Sequence, residues 1–167
     1  MTSLAAVLPR APRVVTRAMI RATPARVWES LMFFEQIERR PPLLLRLLLP
    51  APLKTIGRKS EVGDEAACLY EGGRLIKRVT RVERGRLYEF SVARQELRFG
   101  GGIALEGGSY SLRALAGGRC ELAAETRYRG ARGPRLFWEP IEKFVCHAFH
   151  RYILSAIGAA AEGAGRG

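Results

Sequence analysis

The sequence predicts an α+β fold: an antiparallel β-sheet followed by one long C-terminal helix, with two short helices after the first strand. Three observations predict it. Between Thr55 and Tyr128, apolar residues recur at every second position, in runs separated by glycine-bearing turns. Residues 140 to 162 instead carry a 3.6-residue period, with Gly158 as the one breaker. Near the start, a Val/Thr/Ile-rich segment runs straight into Thr23-Pro24, an N-cap followed by proline at the first helical position.

Taken in order, residues 1–12, with Pro9 and Pro12, read as a flexible N-terminal arm, and residues 13–164 as a single ligand-binding domain. Arg13 to Ala22 is the first strand. Val27, Trp28, Leu31 and Met32 form one face of a short helix. Phe33, Phe34 and Ile37 extend that apolar surface into a second short helix or turn. Leu43 to Leu53, broken by Arg46, Pro50 and Pro52, is too short to span a bilayer. It reads as a buried loop closing one end of the fold; a lid, a membrane-touching element and a dimer contact stay open. Strands follow at Thr55 to Glu61, Ala66 to Tyr70, Leu75 to Val82, and Tyr88 to Val92. Two longer ones run from Ile103 to Leu115, with a bulge or bend at Gly107-Gly108, and from Cys120 to Tyr128. Short turns make this an antiparallel meander. Pro140 opens the final helix, which buries Ile141, Val145, Ala148, Phe149, Tyr152 and Ala156. Lys143, His147, His150 and Leu154 then point the other way.

Composition narrows the function. The chain has 167 residues, 47% hydrophobic and 26% charged, as a globular domain does. Its net charge is +12, carried by 24 arginines and 4 lysines. The arginines are dispersed, so a solvated basic surface fits better than a nucleic-acid stripe, and nucleic acid is disfavoured as a partner. Peripheral contact with an anionic membrane stays compatible with the sequence. Asn is absent and Asp64 is the one aspartate, which excludes acidic calcium loops. Phosphate-binding, zinc-protease and serine-hydrolase motifs are missing. Cys68, Cys120 and Cys146 lie too far apart for a disulfide framework and suit a reducing cytoplasm. The apolar stretch Leu4 to Leu8 has no basic residue before it, unlike a secretory signal. His147 and His150 are helix neighbours, yet they lie beside Lys143 with no carboxylate completing a ligand set. No cofactor and no metal are therefore expected.

The order of elements, and the run Ile20-Arg21-Ala22-Thr23-Pro24-Ala25-Arg26-Val27-Trp28-Glu29-Ser30-Leu31, resemble the START-like superfamily (SRPBCC; polyketide cyclase–dehydrase and birch-pollen-allergen-like proteins). Leu87-Tyr88-Glu89-Phe90 and Gly108-Ser109-Tyr110-Ser111-Leu112 are also similar to that family. The resemblance covers about residues 13 to 162. It implies a helix-grip fold, in which a curved sheet wraps around the long helix and leaves an apolar cavity. It implies, further, a hydrophobic or amphipathic ligand, lipid-like or aromatic. Enzymes, carriers and sensors share the fold, so a cyclase or dehydratase acting on a polyketide-like substrate is the alternative.

On the strands, the inward candidates are Cys68, Tyr70, Tyr88, Phe90, Tyr110, Leu112, Thr126 and Tyr128. Facing them on the helix are Val145, Ala148, Phe149 and Tyr152. For each of these residues plain core packing is the competing reading. Arg78 shares a phase with Ile76 and Val82 and would then point inward to bind a polar head. Leu75 and Val79 offer the opposite phase, which puts Arg78 in solvent.

Overall fold

The computed structural model describes residues 12–33, 52–96, 102–130 and 133–163. The N-terminal arm, the second short helix expected around Phe34 to Ile37, and the leucine segment up to residue 51 lie outside the described residues. Strand β1 (Arg13–Ile20) alternates as its sequence demands, with Val14, Thr16 and Ile20 buried and Arg13, Arg17 and Met19 exposed. Helix α1 (Pro24–Phe33) opens with the Val27 amide donating to the Thr23 carbonyl at 3.0 Å. It buries Val27, Trp28 and Leu31, the face its spacing dictates.

The meander comprises β2 (Pro52–Gly57), β3 (Glu65–Tyr70), β4 (Gly73–Glu83), β5 (Leu87–Gln95), β6 (Ala104–Leu115) and β7 (Arg119–Arg129). The sheet order is β1-β7-β6-β5-β4-β3-β2, and every pair is antiparallel. β2 ends at Gly57, earlier than the pattern suggests. The Asp64 carboxylate accepts from the Ser60 and Glu61 amides, at 2.9 and 3.0 Å, and draws them into the turn. The bulge expected at Gly107-Gly108 is present, as a register shift between Leu105 and Gly107. A Cβ at Gly108 would lie 2.3 Å from the Glu125 carbonyl oxygen, so only glycine lets β6 and β7 approach there.

Helix α2 (Arg135–Gly163) starts earlier than Pro140. Gly133, at φ +69°, and Pro134 form the entry, and the Phe137 amide donates to the Pro134 carbonyl at 3.0 Å. Pro140 removes one bond, to the Leu136 carbonyl, in a turn that stands in solvent where water can replace it.

The helix is also rolled relative to the sequence expectation. Glu142, Cys146, His150 and Leu154 are buried, while Ile141 and Phe144 are about half exposed. The cause is the curl of the sheet. β1 and β7 cover the flank of α2 that carries His150, and Ile20 of β1 comes close to Gly158. Two adjoining clusters fill the space between helix and sheet. One is centred on Trp28, Leu122, Leu154 and Ile157, the other on Val14, Leu75, Tyr128 and Val145.

Candidate functional site

β4 decides what points at the helix. Leu75, Lys77 and Val79 face inward, and a bulge between Val79 and Arg81 brings Val82 back to the same side. Arg78 is therefore on the outer face. It is exposed and donates to Glu65 of β3 from Nε at 3.0 Å and Nη2 at 2.6 Å. The expectation that Arg78 binds a ligand's polar head is corrected: the inward cation of this strand is Lys77.

Two hollows lie between the concave sheet and α2. The first, about 110 Å³, is walled by Cys68 and Tyr70 of β3, Tyr88 and Phe90 of β5, Tyr110 of β6, and Phe149 of α2. Leu31 of α1 and Thr55 of β2 close its far side. The second, about 60 Å³, lies toward β7 and is lined by Thr126, Val145, Cys146 and His150. Tyr70, Lys77, Phe90, Tyr110 and Phe149 line both.

Eight of the twelve expected site residues thus come together around these spaces: Cys68, Tyr70, Tyr88, Phe90, Tyr110, Thr126, Val145 and Phe149. Besides Arg78, three do not. Leu112 is buried in the core cluster with Leu122. Tyr128 is wholly buried, and its hydroxyl has no partner among the described residues. Tyr152 packs against both core clusters without lining either hollow. Leu112 and Tyr128 obey the strand alternation, but all three side chains are taken up in core packing.

Lys77 and His150 line the hollows and were not among the expected ligand contacts. The Lys77 ammonium sits 4.3 Å from the centre of the Phe90 ring. Burial works to lower its pKa; Cys68, Tyr110, Tyr70 and Tyr88 outweigh that and hold it above the ordinary lysine value. It is a cation at neutral pH. Burial raises the phenols: Tyr88 to about 12, with Tyr70 and Tyr110 also up. At pH 7 these phenols are protonated and serve as hydrogen-bond donors and acceptors.

His150 is only 4% exposed and has hydroxyl partners on both ring nitrogens. Nδ1 lies 2.9 Å from Thr16 Oγ1, and Nε2 lies 2.7 Å from Thr126 Oγ1. The same Thr16 oxygen is 2.8 Å from His147 Nδ1. One direction of donation satisfies every contact: Thr126 donates to His150, His150 to Thr16, and Thr16 to His147. The reverse direction satisfies them equally. Burial, then the neighbouring His147, lowers the His150 pKa to about 4, so the ring is neutral at pH 7. The expectation that both histidines face away from the cavity is corrected for His150, because β1 and β7 close over that flank. The pairing signal was the threonines, Thr16 and Thr126, at inward positions of strands that prove adjacent.

No family model matches the sequence, and no curated protein matches it. Solved structures do share its shape. A START superfamily protein from Mycobacterium smegmatis is 10% identical, with a TM-score of 0.64 over 91% of this chain and 98% of its own. The Zhui aromatase/cyclase from Streptomyces sp. R1128 is 13% identical, with a TM-score of 0.59 over 92% and 98%. The Aha1 dimer from Colwellia psychrerythraea is 12% identical, with a TM-score of 0.58 over 92% and 99%. At such identities the likeness is one of fold: an antiparallel sheet curled around a long C-terminal helix, the helix-grip fold of the START-like superfamily.

Proposed function

We propose that residues 13–164 act as one domain that binds a hydrophobic or amphipathic small molecule between the sheet and α2. The observation that carries this reading is the aromatic-walled first hollow, continued by the second behind shared side chains. Apolar burial supplies the affinity, and the tyrosine hydroxyls orient polar groups of the ligand. Volume bounds the ligand. A hollow of about 110 Å³ is smaller than the roughly 300–1,000 Å³ of pockets for drug-sized molecules. One ring or a short acyl segment fits as it stands, and a longer ligand requires movement of side chains that line both spaces, Phe149 among them. The three unpaired cysteines fit a reducing, cytoplasmic setting.

The test is uptake of a fluorescent fatty acid or a polyaromatic probe at one per chain, weakened in Tyr110→Ala. That truncation costs roughly 3–5 kcal/mol of stability, so binding is read well below the variant's melting temperature. Wild-type protein that takes up neither probe overturns the reading.

A second reading, an enzyme of the cyclase or dehydratase kind, is favoured by the His150–Thr126 contact at 2.7 Å beside the second hollow. A neutral imidazole with a hydrogen-bonded path to a second imidazole can take a proton and pass it on. His150→Gln would then abolish turnover of a polyketide-like substrate while leaving its binding within a fewfold. Equal turnover in the variant removes His150 from the chemistry.

A further inference from the structure

β4 carries four cations, and the sheet treats them differently. Arg74, Arg78 and Arg81, on the outer side, each pair with a glutamate: Glu96, Glu65 and Glu83. Lys77, on the inner side, makes no ion pair with any carboxylate among the described residues. Its ammonium lies over the face of the Phe90 ring. A hydrophobic residue at 77 would match Leu75 and Val79 on either side and avoid the cost of desolvating a charge. Tyr70, Tyr88, Tyr110 and Cys68 share the first hollow with Lys77, and no carboxylate among the described residues lines that hollow.

We infer that the ligand of this cavity carries an acidic head, a carboxylate or a comparable oxyanion, and that Lys77 binds it. This rests on the small-molecule reading above and adds the ligand's charge to it. Lys77 lines both hollows, so a head bound there leaves the apolar part free to run toward Phe149 and Ile153 or toward Val145. Tyr88 and Tyr110 line the first hollow beside Lys77 and offer neutral hydroxyls to a second oxygen of the head. Arg78 is excluded from the role by its partner and its face of the sheet.

The experiment is titration calorimetry with 2-naphthoate and its neutral isostere 2-naphthamide, on the full chain at pH 7. Wild-type protein is expected to favour the acid by about ten- to a hundredfold, the range of one charge-assisted contact. Lys77→Met should remove that preference and leave the amide's affinity within a fewfold; Lys77→Arg should restore most of it. Lys77→Met keeps the side chain's length and apolar stem, so loss of fold is not the expected confounder, and a melting curve of each variant checks this. Equal affinities in wild type, or a preference that survives in Lys77→Met, overturn the acidic-head inference and leave the cavity reading standing. Binding of neither compound overturns both.

Discussion

Mild acid should destabilise this protein because of His150. The perturbation is a pH change from 7.5 to 5. The imidazole takes a proton at 6.5 when free and at about 4 in the fold, where burial, and then His147, oppose the charge. Between those values the unfolded chain binds more protons than the folded one, so stability falls as pH falls. The full penalty below pH 4 is about 3 kcal/mol, and roughly 2 kcal/mol of it has accrued by pH 5. The groups facing the ring are His147 on its own helix, Thr16 from β1 and Thr126 from β7; neither threonine titrates. Two carboxylates are held low, exposed Glu96 by its hydrogen bond from Arg74 and half-buried Glu139 by that from Lys143, and both protonate below this window. The assay is urea unfolding at half-unit pH steps, compared with His150→Gln. Wild type should lose about 2 kcal/mol, which corresponds to roughly 4–8 °C in Tm. The variant, less stable at pH 7.5, should show a much flatter profile. A flat wild-type profile, or the same loss in His150→Gln, refutes the buried neutral imidazole.

Three further outcomes follow from the packing. Tyr128→Phe should be neutral or stabilise by up to about 1 kcal/mol in thermal unfolding, because the hydroxyl it deletes is buried without a partner among the described residues. Arg78→Ala should change stability by less than about 1 kcal/mol and leave probe binding untouched, since its pair with Glu65 stands in solvent. Phe149→Ala should join the two hollows, shift probe preference toward a larger polyaromatic, and cost roughly 3–5 kcal/mol in unfolding free energy.

How far the sequence could be read is clearest on β4 and α2. Two-residue alternation located six strands, and Val/Thr/Ile content the first; the inward set Cys68, Tyr70, Tyr88, Phe90 and Tyr110 followed because the alternation holds its phase across each of those positions. β4 contains two, Leu75/Val79 and Ile76/Val82. A bulge reconciles Leu75/Val79 with Val82, but a bulge has no side-chain signature in this segment, so Arg78 and Lys77 could not be told apart. The helical period located α2 and most of its inner face. It could not say how far the sheet wraps, and β1 and β7 cover a flank that a flat sheet would leave in water. His150 is buried for that reason alone, held by threonines 134 residues upstream and 24 residues before it in the chain. Pro140 read as a helix start because nothing local announces that the turn before it is helical. The outer-face arginines behave as their dispersal suggested: Arg74, Arg78, Arg113 and Arg127 each meet a glutamate on the solvent side.

The central claim is a ligand between sheet and helix, and native mass spectrometry of protein purified from its own host tests it most directly. The account predicts a non-covalent adduct of one small molecule per chain, released on denaturation and absent from Cys68→Phe, whose added ring fills the first hollow. The bare chain mass in wild type, or an adduct that survives undiminished in Cys68→Phe, would contradict it.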